Sequence, residues 1–84
     1  MKEYKLKNPI VLGDETLEVL KFEEPTLKRL TDCDVDLDEG SLKKASGMAK
    51  LIESCCTNAT SAHIGQMRFS DIAGAVEVCA GFFS

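Results

Sequence analysis

The chain has 84 residues, 44% of them hydrophobic, and sets 14 acidic against 10 basic side chains for a formal charge of −4. A chain of this length makes one domain, residues 1–84, whose single core supplies roughly 3–5 kcal/mol, and its scattered Lys and Arg argue against a nucleic-acid surface, which needs clustered positive charge. The apolar runs fall short of the roughly 20 residues of a membrane-spanning helix, and Met1 to Tyr4 leads into a strand pattern with no signal-peptide core, so a cytoplasmic protein is expected, with no membrane partner.

Tyr4, Leu6, Ile10 and Leu12 share one parity, as in a strand with one face on a core. Asn8-Pro9 interrupts that pattern and marks an edge position or a bulge. Gly13-Asp14 supplies the permissive backbone of a tight reversal, with Gly13 free to take positive φ. In the returning strand Leu17 and Val19 lie on one face, and Leu20 and Phe22 on the other. That strand is either covered on both sides or bulged near Val19-Leu20.

Pro25 fits the first turn of a helix, where its missing N–H costs nothing, and Leu27, Leu30 and Cys33 form an apolar row at i, i+3 spacing. The run Asp32-Cys33-Asp34-Val35-Asp36-Leu37-Asp38-Glu39-Gly40 concentrates like charge and predicts a solvated loop. Gly40-Ser41 opens a second helix with Leu42, Ala45, Met48, Ala49, Ile52 and Cys55 or Cys56 at helical spacing, ending near Thr57-Asn58. Ser61 to Met67 has room for one further helical turn. Ser70 is a candidate N-cap followed by the first-turn acid Asp71, and Ile72, Ala75, Val76, Cys79, Phe82 and Phe83 form the stripe of a last helix. Phe82 and Phe83 read as either core or contact residues. The expected class is α+β, an N-terminal β-hairpin packed with about three α-helices.

Chemistry-bearing patterns are sparse. Asp32, Asp34, Asp36 and Asp38 alternate like the first ligands of an EF-hand, but with Asp32 first the turn Gly falls on Leu37 and the bidentate Glu on Lys43, and a start at Asp34 places Glu39 and Ala45 there. Cys33, Cys55, Cys56 and Cys79 contain no C-x-x-C pair, and adjacent Cys55 and Cys56 point about 100° apart on a helix, so free thiols acting as small hydrophobes are expected in place of zinc or disulfides. Asn58-Ala59-Thr60 matches a glycosylation acceptor, which carries no weight without a secretion signal. His63 has no Cys, Ser or carboxylate at motif spacing to make it a catalytic base. With no nucleophile elbow, Walker loop or dinucleotide fingerprint, neither an enzyme nor a cofactor is expected.

The order of these pieces carries a resemblance: Asn8-Pro9-Ile10 in the first strand, Leu17 to Phe22 in the second, the junction Phe22-Glu23-Glu24-Pro25-Thr26, and helices closing on Phe69-Ser70-Asp71-Ile72. Over nearly its whole length the chain resembles the small tail assembly chaperones of contractile-tailed, Mu-like bacteriophages. It departs from them at Glu23 and Glu24, where members often carry a basic residue before the Pro. The resemblance implies a non-catalytic binder of the phage tape measure protein, keeping that long helical chain soluble until tail tube subunits polymerise around it. It also implies a longer, frameshifted form of the chaperone as a further partner. Met48, Met67, Phe82 and Phe83 are the expected partner-binding residues, because thioether and aromatic groups repack against varied apolar surfaces; the alternative for Met48 is core filling. A homo-oligomer is expected from the small core and the open hairpin edge. A structural head–tail or tail completion protein of the particle is the alternative function.

Overall fold

The computed structural model describes residues 2–36, 38, 40 and 43–83. Strands β1 (Lys2–Leu12) and β2 (Glu15–Phe22) pair antiparallel across the Gly13-Asp14 turn, where Gly13 takes a φ of 62° that a side chain would disfavour. Helices α1 (Leu27–Asp32), α2 (Ala45–Cys55), α3 (Ser61–Ile64) and α4 (Phe69–Ala80) follow, and a 3₁₀ turn spans Gly81–Phe83. The fold is α+β, as expected, with the short α3 turn added to the three longer helical segments. Helix α2 opens at Ala45, with Lys44 in extended backbone at the N-cap, later than the expected Gly40-Ser41, of which Ser41 lies outside the described residues.

The hairpin register explains the mixed pattern of β2. Lys2 to Lys5 pair with Phe22 to Val19, and pairing resumes at Ile10 opposite Leu17, so Leu6 to Pro9 lie against Glu18. The extra residues are therefore in β1, at the Asn8-Pro9 interruption, and not at Val19-Leu20. Because the register breaks there, Leu17 packs on the same core as Leu20 and Phe22 despite its opposite parity.

The free side of β2 is covered. Phe22 bridges to Cys56, Glu23 N–H donates to the Cys55 carbonyl at 2.9 Å, and Thr57 N–H donates to the Lys21 carbonyl at 2.8 Å. Asn58 completes the cover by accepting from Lys21 N–H and donating to the Val19 carbonyl, each at 2.9 Å. This pairing draws Cys56 into extended backbone and ends α2 at Cys55, short of the expected end near Thr57-Asn58.

Two further helix starts differ from their sequence patterns. Thr26, not Pro25, caps α1, its Oγ1 accepting from Arg29 N–H at 3.2 Å, and Leu27 points outward at 79% exposure, so the expected apolar row is reduced to half-buried Leu30 and Cys33. Arg68 takes the N-cap position of α4 and Ser70 falls within the first turn. The core joins Leu6, Ile10, Leu20 and Phe22 of the hairpin to Leu51, Ile52 and Cys55 of α2, Ile64, Met67, and Ala75 and Cys79 of α4. Leu51 was absent from the expected α2 stripe, although it is buried in the same core as Ile52.

Candidate functional site

Among the described residues, the most concentrated polar arrangement is built on Asp71. As a first-turn residue of α4 it is fully buried, yet its carboxylate reaches the β1 bulge. Oδ1 accepts from the Tyr4 hydroxyl at 3.0 Å and from Lys7 N–H at 2.8 Å; Oδ2 accepts from Asn8 N–H at 2.9 Å and from Asn8 Nδ2 at 3.2 Å. Burial alone would raise this carboxyl, but the donors of Lys7, Asn8 and Tyr4 outweigh it and hold it below its ordinary value. The Tyr4 hydroxyl is raised in turn, by burial first and then by the Asp71 bond and charge. A buried, shifted carboxylate is a usual mark of a reactive centre. Here both oxygens are occupied by four donors, so the group acts as a clamp between helix and hairpin.

The clamp accounts for two further residues. The Tyr4 ring lies so close to α4 that a Cβ on Gly74 would overlap it, which makes Gly74 a requirement of the Tyr4–Asp71 bond. Ser70 Oγ accepts from Asn8 Nδ2 at 3.3 Å, the role its hydroxyl takes in place of capping. Sequence reasoning saw Asp71 only as a complement to the helix dipole. The signal for the clamp lay in Asn8-Pro9, since an interrupted strand leaves amides that must find an acceptor elsewhere.

Other titratable groups are similarly engaged. His63 Nδ1 accepts from Thr60 N–H at 3.1 Å in a capping box, and Nε2 faces Glu15 Oε2 at 3.4 Å. In the acidic loop Asp32 pairs with Lys28 at 3.1 Å and Asp34 with Lys50 at 3.4 Å, and among the described residues no three metal-ligating side chains converge. The cysteines are free thiols, with Cys55, Cys56 and Cys79 buried. Cys79 is pushed up by its hydrogen bond with Cys55 and by burial. A cleft of about 350 Å³ runs between the β2–α1 junction and the end of α2, walled by Glu23, Pro25 and Arg29 and floored by Ser54 and Cys55. Its Ser54 hydroxyl donates to the Leu51 carbonyl at 2.7 Å, which directs it back into its own helix.

The expected contact residues divide by burial. Phe82 and Phe83 share the terminal 3₁₀ turn; Phe82 is half-buried beneath Lys2, whose Nζ stands 4.8 Å from the ring centre, while Phe83 is 44% exposed. Met48 is half-buried on α2. Met67 is a core residue at 8% exposure, so its thioether fills space between the short helices and offers little open surface. Leu27 and Phe69, at 79% and 75% exposure, are large apolar surfaces that the sequence reading did not select. Phe69 sits one residue ahead of the assumed helix start, and Leu27 was assigned to a core row.

A family model described as phage tail assembly chaperone proteins, E, or 41 or 14, matches residues 3–84. No curated protein and no solved structure matches the chain.

Proposed function

Because the chain belongs to that phage tail assembly chaperone family, we propose that it is a non-catalytic chaperone that binds the tape measure protein in the host cytoplasm and keeps it soluble before the tail tube polymerises. The observation that carries this reading is the set of large apolar side chains left outside the core, among them Leu27, Phe69 and Phe83, on a chain of net charge −4. Such residues meet complementary helical stripes, while the acidic exterior keeps the complex dispersed. Half-buried Met48 and Phe82 border this outward set in burial and can enlarge the contact by small rotamer changes. Met67 joins the contact only if the core around it opens. The longer frameshifted product fits the same reading as a second partner.

Co-expression with the tape measure protein of the same phage tests the proposal. Soluble yield of that protein should rise, and Leu27→Lys and Phe83→Ser should each reduce the gain while the chaperone itself stays folded. A yield unchanged by the intact chaperone overturns the reading. Mass spectrometry of purified particles separates it from a structural role, since a chaperone should be absent from mature virions.

A further inference from the structure

The hydrogen bonds on the covered side of β2 determine which groups of β1 face away from the sheet. Lys21 directs both its N–H and its carbonyl outward, to Asn58 Oδ1 and Thr57 N–H, and Val19 directs its carbonyl outward to Asn58 Nδ2. In an antiparallel ladder, directly opposed residues face inward or outward together. Glu3 pairs with Lys21 and Lys5 with Val19, so the N–H and carbonyl groups of Glu3 and Lys5 lie on the outer edge of β1. At Lys7 and Asn8 that edge is sealed by the Asp71 carboxylate. The sheet is thus covered along Val19 to Glu23 of β2 and closed at the bulge, which leaves Glu3 to Lys5 open on the side opposite that cover.

We propose that this stretch is the docking edge for a second copy of the chain, which adds its own β1 antiparallel about a two-fold axis through Tyr4, so that Glu3 of each copy lies opposite Lys5 of the other. Outward-facing residues must oppose outward-facing residues, which leaves three registers: Glu3 opposite Glu3, Lys5 opposite Lys5, or Glu3 opposite Lys5. The first two set like charges against each other, and the third makes two oppositely charged cross-strand pairs. Both side chains are exposed on the same face of the strand and have no ion-pair partner within the chain among the described residues. The Lys residues that repel foreign strands from an edge are therefore matched in this one pairing. An isologous contact of this kind joins the two hairpins into one four-stranded sheet.

Charge exchange tests it. Sedimentation velocity of the whole chain should show a concentration-dependent rise from the 9.2 kDa monomer to twice that mass. Glu3→Lys alone and Lys5→Glu alone should each weaken self-association by roughly tenfold, given two cross-strand pairs turned from attraction to repulsion. Mixing the two variants should restore a dimer containing one copy of each, because Lys at position 3 then meets Glu at position 5 and the reverse. Circular dichroism verifies that both variants fold, as expected for exposed positions. A wild-type chain that stays monomeric to millimolar concentration overturns the proposal, as do variants that self-associate like the wild type or fail to pair when mixed.

Discussion

At Asp71 a single side chain satisfies two backbone amides and two side-chain donors drawn from residues more than sixty positions away in sequence. Asp71→Ala leaves the Lys7 and Asn8 amides without an acceptor, and we expect a loss of about 2–3 kcal/mol by chemical denaturation. Asp71→Asn keeps the shape but turns part of the acceptor set into donors, and should lose nearly as much. The pH dependence follows from the direction of the shift. A carboxyl whose folded-state value is lowered stabilises the fold above its unfolded value of about 3.9, and that contribution disappears as pH falls through the folded value. The stability gap between wild type and Asp71→Asn should therefore be constant from neutral pH to about 5 and should narrow below about 4. A gap that persists unchanged to pH 2 would show that the charge of Asp71 is irrelevant.

Between elements, the contact of α4 with β1 depends on the absence of a side chain at Gly74. Replacing a helical Gly with Ala ordinarily gains up to about 1 kcal/mol; here the added methyl displaces the Tyr4 ring. Gly74→Ala should cost about 1–3 kcal/mol in wild type and become neutral or favourable when Tyr4 is replaced by Leu, a non-additivity that a double-mutant cycle reads directly. The three-residue register gap in β1 was legible, since Asn8-Pro9 cannot continue a regular ladder. Its partner was not. Nothing within a few residues of Asp71 shows that its carboxylate turns away from its own helix, because that contact is set by how α4 lies across the sheet. Leu27 illustrates the opposite failure: i, i+3 spacing identifies a shared helix face but not whether anything covers it, and α1 is too short to press its first turn onto the core. Leu27→Lys should accordingly change stability by no more than about 0.5 kcal/mol.

Across the whole molecule, the hairpin, α2 and α4 were recoverable from periodicity, and the thiols were correctly read as core-filling groups at Cys55, Cys56 and Cys79. Surface assignments were less accessible, since Met67, expected at the contact surface, is buried, and Phe69, given no contact role, is exposed. Replacing Cys55 with Ala should retain the fold at a loss of about 1 kcal/mol, and reductant should leave the midpoint of thermal unfolding unmoved. Truncation after Gly81 removes half-buried Phe82 together with its Lys2 contact, so we expect a loss of about 1–2 kcal/mol; Phe83→Ser removes only exposed surface and is the cleaner probe of partner binding.

The clamp between Tyr4 and Asp71 joins groups 67 positions apart, and this separation bears on when the protein can fold. A hairpin closes in about 1–10 μs, yet the bulge of this one cannot be clamped to α4 until nearly all of these residues have been made. During synthesis at about 5–20 residues per second, β1 and β2 leave the ribosome seconds before α4 and wait without their acceptor. Nascent chains arrested after α3 should then exchange the Lys7 and Asn8 amide hydrogens at rates near those of an unstructured peptide, and chains long enough to expose α4 should protect both amides together. The emergence of α4, and not the closing of the hairpin, thus sets the moment at which the bulge becomes ordered.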